Sequence, residues 1–266
     1  MKSPKGITAS GKENGSMTSL YAVIGGSGFY RLGDDFIVEQ AAIIDTPYGA
    51  TSAEVIRGVW QGQPVVFLAR HGEAHRIPPH RINYRANLFA LKQQGVSHVI
   101  AVNAVGGISS DYAPETIALP DQIIDYSWGR AHSFCDGETG EVQHIDFTYP
   151  YSGALRSMIA ESAVEMGLNI LQSGVYGCTN GPRLETKAEI IKMCGDGCDM
   201  VGMTGMPEAA LARELGIEYA SIALVVNWCA GISDSEITMD EIMRVLQRGM
   251  APVKQLILST LKKAYE

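Results

Sequence analysis

Short apolar runs alternate with longer amphipathic stretches along the chain. The runs Leu20–Ile24, Val65–Ala69, His98–Val102, Thr116–Leu119, Gln122–Tyr126, Leu171–Gly177 and Tyr219–Val226 predict buried strands. Apolar residues at helical spacing predict helices over Tyr84–Gln94, Ala154–Met166, Lys187–Met193, Pro207–Leu215 and Thr238–Ala264. Thr238 followed three residues later by Glu241 fits a capping box. Gly249 and Pro252 predict a break or kink inside that last helix. Residues 34–64 alternate over short pieces and read as a β-hairpin region. Strands alternating with helices imply an α/β domain with a central sheet. Without an internal repeat or a linker, residues 17–266 read as one domain. Residues 1–16 are polar, rich in Gly, Ser and Lys, and lack the apolar stretch of a signal peptide, so they read as a disordered leader, an expression remnant or an upstream start, with Met17 opening the folded chain.

The candidate chemistry collects where the apolar runs end. Gly25-Gly26-Ser27-Gly28 closes the first predicted strand and can present backbone N–H groups and a hydroxyl to a phosphate, or serve as a plain tight turn. It is a poor dinucleotide fingerprint, because Phe29, Tyr30 and Arg31 follow and the third glycine is missing. Arg70 and His71 follow the strand Val65–Ala69; an arginine offers phosphate a two-pronged fork, and a histidine can add a donor. His71, Glu73, His75 and His80 lack the order of a zinc motif, so no metal is expected. Asn103 and Ala104 precede Gly106-Gly107 at the end of another strand, where open α/β sheets bind ligands. Val201 to Glu214 offers Met203, Thr204 and the Glu208 carboxylate around a helix start at Pro207. Glu185 reads as a helix-start acid or a ligand, and Asn227 as a strand-end cap or a reader of a heterocycle edge.

Net charge of −8 argues against non-specific nucleic-acid or anionic-membrane binding but leaves room for a small anion held by local arginines. No apolar run approaches the roughly 20 residues of a membrane span. The five cysteines lack framework spacing and read as reduced thiols of a cytoplasmic protein.

The segments IGGSG, LARHG, NYRANLFALK, VNAVGG, GPRLETKAE and VGMTGMPE occur in this order over nearly the whole folded chain. Together they resemble the trimeric purine nucleoside phosphorylases and methylthioadenosine phosphorylases, and most of all the branch that takes methylthio nucleosides. The resemblance implies a three-layer α/β/α sandwich around a mixed, partly barrel-like sheet, a homotrimer, and phosphorolysis with inorganic phosphate as co-substrate and no cofactor. By that pattern Ser27, Arg70, His71, Asn103, Ala104 and Thr204 hold phosphate, with Ala104 using its backbone. Met203 lies under the ribose, Leu184 against the base, and Asn227, Glu185 and His71 carry the catalytic contacts. His144 or Phe147 reaches into a neighbouring subunit's pocket.

Two regions bear on the substrate. Glu185 as a carboxylate accepts from N1–H of a 6-oxopurine, and Asn227 can donate to O6 or N7. Adenine presents an acceptor at N1, so an ionised Glu185 opposes it. Adenine-specific relatives carry Asp at the position of Asn227. Met239 and Ile242 share one helical face near the position where inosine and guanosine phosphorylases place a histidine, and an apolar lid there suits a methylthio group. The combination points to S-methyl-5′-thioinosine. Methylthioadenosine and inosine or guanosine are the rivals within the class, and a non-catalytic nucleoside-binding protein is the rival outside it.

Overall fold

The computed structural model describes residues 19–135, 137, 142–234 and 236–266. The expected leader, residues 1–16, and the start at Met17 lie outside the described residues. The chain runs β1 (Leu20–Gly25), β2 (Phe36–Ala42), β3 (Asp45–Thr46), β4 (Gly49–Ala50), β5 (Val55–Trp60), β6 (Gln63–Ala69), α1 (Tyr84–Gln93), β7 (Val96–Gly107), β8 (Ile117–Ala118), β9 (Gln122–Asp125), α2 (Gly153–Glu165), β10 (Val175–Cys178), α3 (Lys187–Gly195), β11 (Met200–Gly202), α4 (Gly205–Glu214), β12 (Glu218–Trp228) and α5 (Met239–Tyr265).

Ten strands form one mixed sheet in the order β2-β5-β6-β1-β7-β11-β10-β9, with β12 pairing β7 and β8 off that path. The inner strands β6, β1, β7 and β12 are parallel. They are apolar and almost wholly buried, as strands covered on both faces must be. The hairpin region expected over residues 34–64 supplies β5, which pairs antiparallel with β6, and β2, which pairs antiparallel with β5. β7 is the organising strand: β1 and β12 flank it in parallel, and β11 joins antiparallel at Gly106 and Gly107. The architecture is α/β with a mixed sheet, as expected.

Four sequence expectations need correction. The strand expected at Thr116–Leu119 shrinks to Ile117–Ala118, and that at Leu171–Gly177 to Val175–Cys178, with Leu171 making only an isolated bridge to Ala118. α5 is one continuous helix across Gly249 and Pro252. An interior proline costs about 3 kcal/mol, yet each fully buried aliphatic side chain returns about 1.5–3 kcal/mol. Leu246, Val253, Leu256, Ile257 and Leu261, all buried on one stripe, outweigh it. Gly249 lets the helix press close to the sheet: a Cβ there would lie 2.6 Å from a Leu224 methyl. At the start of α5 only half of the capping box forms, Thr238 Oγ1 accepting from the Glu241 amide. The full box forms at α3 instead, between Thr186 and Glu189.

Candidate active site

The ends of β1, β6, β7, β11 and β12 converge on a cleft of about 440 Å³, a size suited to a nucleoside-sized ligand. Its floor is built from the loop after β1 (Gly26, Ser27), the loop after β6 (Arg70, His71) and the end of β7 (Asn103 to Gly106). The lining continues with Val201 to Thr204, at and just past the end of β11, and with Val226 and Asn227 at the end of β12 and Cys229 just beyond it. The segment before α3 contributes Leu184 and Glu185, and the first turns of α5 contribute Met239, Ile242, Met243 and Leu246. The structure thus brings together Ser27, Arg70, His71, Asn103, Ala104, Leu184, Glu185, Met203, Thr204, Asn227, Met239 and Ile242. His144 is exposed and is absent from the lining, so within one chain it is not part of the cleft. Phe147 packs against the hydrophobic core.

Arg70 is the most constrained side chain of the floor. Its guanidinium is fully buried, and the facing Glu208 carboxylate is buried equally. Nε donates to Glu208 Oε2 at 2.9 Å, Nη2 to Oε1 at 2.7 Å, and Nη1 to the Val102 carbonyl at 2.7 Å. Tyr219 donates its hydroxyl to Glu208 Oε1 at 2.8 Å. A guanidinium has five N–H donors, so the three bonds leave two N–H groups without a partner among the described residues. Burial alone would lower the Arg70 pKa, but the Glu208 charge reverses this and holds it above its ordinary value. Gly26 passes directly over this group: a Cβ there would lie 2.5 Å from the Val102 carbonyl oxygen and 2.8 Å from Arg70 Nη1.

His71 is nearly buried, and its Nδ1 donates to the Ile77 carbonyl at 2.9 Å. Burial pushes its pKa down to about 3, with Arg70 adding to the effect against the opposing Ile77 bond. The neutral ring has one N–H, and the carbonyl takes it. Nε2 is therefore an acceptor. This corrects the expectation that His71 adds a donor.

Glu185 also lines the cleft, and its Oε1 accepts from Thr179 Oγ1 at 2.6 Å. Burial raises the Glu185 pKa, opposed by that hydrogen bond. Glu185 precedes the N-cap residue Thr186, and Glu189 serves the helix start in its place. A register shift between Val225 and Asn227 in the β12–β7 pairing marks a bulge, a device that re-aims side chains beside functional sites. Asn227 Nδ2 donates to the Trp228 carbonyl at 2.8 Å, and among the described residues its oxygen and second N–H have no partner. Ile242 is buried, whereas Met239 is 64% exposed and stands at the mouth.

Sequence reasoning missed the partners of these groups. Glu208 stood out only as an acid beside a helix start, and Thr179, Ser221 and Tyr219 carried no signal beyond being polar residues in or next to apolar runs. Among the described residues no cluster of three or more His, Cys, Asp or Glu could hold a metal ion, and no helix is long and apolar enough to cross a membrane. All five cysteines are free thiols.

A mixed sheet with parallel inner strands, an arginine–carboxylate pair and a nucleoside-sized cleft at its strand ends define the class. Residues 20–262 match the model of the phosphorylase superfamily, and the chain belongs to that family. A protein of Xanthomonas campestris pv. campestris named probable S-methyl-5′-thioinosine phosphorylase is 52% identical, over 89% of this chain and 94% of its own length. A Pyrococcus furiosus protein named 6-oxopurine nucleoside phosphorylase is 42% identical, over 90% of this chain and 91% of its own. The solved structure of Schistosoma mansoni methylthioadenosine phosphorylase with adenine superposes with a TM-score of 0.87 at 29% identity, covering 92% of this chain and 91% of that one.

Proposed function

We propose that this chain cleaves S-methyl-5′-thioinosine with inorganic phosphate, giving hypoxanthine and 5-methylthioribose 1-phosphate. The observation that carries the reading is the polarity of the cleft. The lining combines a buried guanidinium, Arg70, with the polar side chains Glu185 and Asn227 and the apolar side chains Ile237, Met239 and Ile242. These match an anion, a 6-oxopurine edge and a methylthio group.

In this reading the two free N–H groups of Arg70, the Ser27 and Thr204 hydroxyls, Asn103 and the Ala104 backbone hold the phosphate. Hydrogen phosphate carries one proton of its own, and that O–H donates a hydrogen bond to His71 Nε2. A phosphate oxygen then bonds to C1′ as the C1′–N9 bond breaks, and the adjacent anion stabilises the cationic sugar. The electron pair of the broken bond goes to the purine, where Asn227 stabilises it by a hydrogen bond and Glu185 accepts from N1–H; the purine anion then takes a proton from solvent as the new phosphate ester gives up its own. Met203 lies against the ribose and Leu184 against the base. No covalent intermediate is needed, and phosphate is a co-substrate with no further cofactor.

One observation favours a second reading. The raised pKa of Glu185 makes a protonated carboxyl accessible, and that form can donate to N1 of adenine, so methylthioadenosine is the runner-up. We further read the enzyme as a cytoplasmic homotrimer in which a neighbour closes the cleft with His144 or Phe147. The exposed apolar residues at the cleft mouth, Leu184, Met239 and Met243, support that assembly. The test is product analysis with methylthioinosine: hypoxanthine must appear only when phosphate is added, together with an equal amount of the sugar phosphate. Phosphate-independent release, or no release, refutes the reading.

A further inference from the structure

A chain of hydrogen bonds runs behind the cleft and ends in it. Ser221 lies in the middle of β12, is 1% exposed, and does not line the cleft. Its Oγ donates to Asn103 Oδ1 at 2.8 Å, and Asn103 Nδ2 donates to Thr204 Oγ1 at 2.8 Å. Thr204 occupies the N-cap position of α4, yet its hydroxyl makes no cap bond. The Met206 amide is satisfied by Cys178 Sγ instead, at 3.2 Å. The Thr204 side chain therefore accepts from behind, and its one proton is committed to no partner among the described residues.

We propose that Ser221 is a positioning residue that fixes the Thr204 hydroxyl as a donor toward the phosphate. This rests on the reading of Thr204 as a phosphate ligand. A carboxamide has nearly the same shape in its two orientations, so its surroundings decide which one it adopts. With the Ser221 proton on Oδ1, the amide N–H faces Thr204, fills a lone pair of Oγ1, and leaves the hydroxyl proton for the anion. In the reversed orientation Thr204 would spend its proton on Asn103 Oδ1 and turn only lone pairs toward the phosphate, which repels it. Reversal would also leave the Ser221 proton without an acceptor in a buried site, which is costly. Ser221 thus selects the donor form of Thr204 without touching substrate.

Ser221→Ala removes the selection. The free enzyme then relaxes with Thr204 bonded to Oδ1, and phosphate must reverse the amide and strand that oxygen. The KM for phosphate should rise about tenfold, while the KM for nucleoside stays within about twofold. Ser221→Thr, which keeps the hydroxyl, should retain a phosphate KM near that of the parent. Ser221→Cys, with a weak donor of similar size, should behave like Ser221→Ala and covers the case in which Ser221→Ala does not fold. Thr204→Val should raise the phosphate KM by itself, and adding Ser221→Ala to it should change nothing further. The proposal is overturned if Ser221→Ala and Ser221→Cys leave the phosphate KM unchanged, if both KM values rise together, or if the Ser221 and Thr204 effects multiply. If Thr204→Val itself leaves the phosphate KM unchanged, the assignment of the phosphate site fails, which is a different result from failure of the relay.

Discussion

Replacing Glu208 by Gln removes one negative charge from a site where a guanidinium is fully buried. The carboxylate accepts three hydrogen bonds, two from Arg70 and one from Tyr219. Glutamine keeps the shape but has one oxygen, so its amide N–H₂ must face an Arg70 or Tyr219 donor. The larger effect is electrostatic. Breaking a buried ion pair from one side typically costs about 3–5 kcal/mol, because the remaining charge is left in a poor solvent. Total stability is about 5–15 kcal/mol for most domains, so Glu208→Gln should be severely destabilised, with the urea midpoint lowered accordingly. Arg70 should also tilt away from the cleft and the phosphate KM should rise. Replacing both partners, Arg70→Met with Glu208→Leu, removes the unpaired charge. It should recover most of the stability while leaving phosphorolysis abolished. Equilibrium urea unfolding with parallel phosphate titrations reads both effects. A Glu208→Gln variant within about 1 kcal/mol of the parent would refute the burial argument. A double variant as unstable as the single one would show that packing, and not the unpaired charge, sets the cost.

Three further outcomes are expected. Gly26→Ala should raise the phosphate KM at least about tenfold, because its Cβ meets the Val102 carbonyl oxygen at 2.5 Å and Arg70 Nη1 at 2.8 Å; an unchanged phosphate titration would contradict this close approach. Asn227→Asp should move preference toward 6-aminopurine nucleosides, since the new carboxylate accepts from N6–H₂; unchanged selectivity in paired rate measurements would remove Asn227 from base recognition. Because burial raises the Glu185 pKa, lowering the pH protonates it early and converts an acceptor into a donor. The ratio of methylthioadenosine to methylthioinosine cleavage should therefore rise as pH falls, and Glu185→Gln should flatten that profile; a ratio that falls or stays level in the parent would refute the assignment.

What could be read from the sequence is local. Glycine turns at the ends of apolar runs mark Ser27 and Asn103, and Arg70-His71 directly after a strand marks the anion end. The inner strands β6, β1 and β7 are parallel and their ends gather on one side of the sheet, so these residues meet for topological reasons. What could not be read depends on separation along the chain. Arg70 and Glu208 lie 138 positions apart, and Ser221 and Asn103 lie 118 apart; no periodicity links them. The role of His71 changed for a related reason, because its tautomer is set by the Ile77 carbonyl, a backbone group with no sequence signature. The unbroken α5 shows the same limit: Pro252 is a local breaker, and its cost is overridden by packing against β12 and α2 that a single sequence does not display.

The central claim concerns which purine and which 5′ group the cleft accepts. The most direct measurement is kcat/KM for methylthioinosine, methylthioadenosine and inosine, side by side at saturating phosphate. Methylthioinosine well ahead of both is the expected result. Methylthioadenosine ahead would contradict the reading of Glu185 and Asn227, and inosine ahead would contradict the apolar pocket of Ile237, Met239 and Ile242.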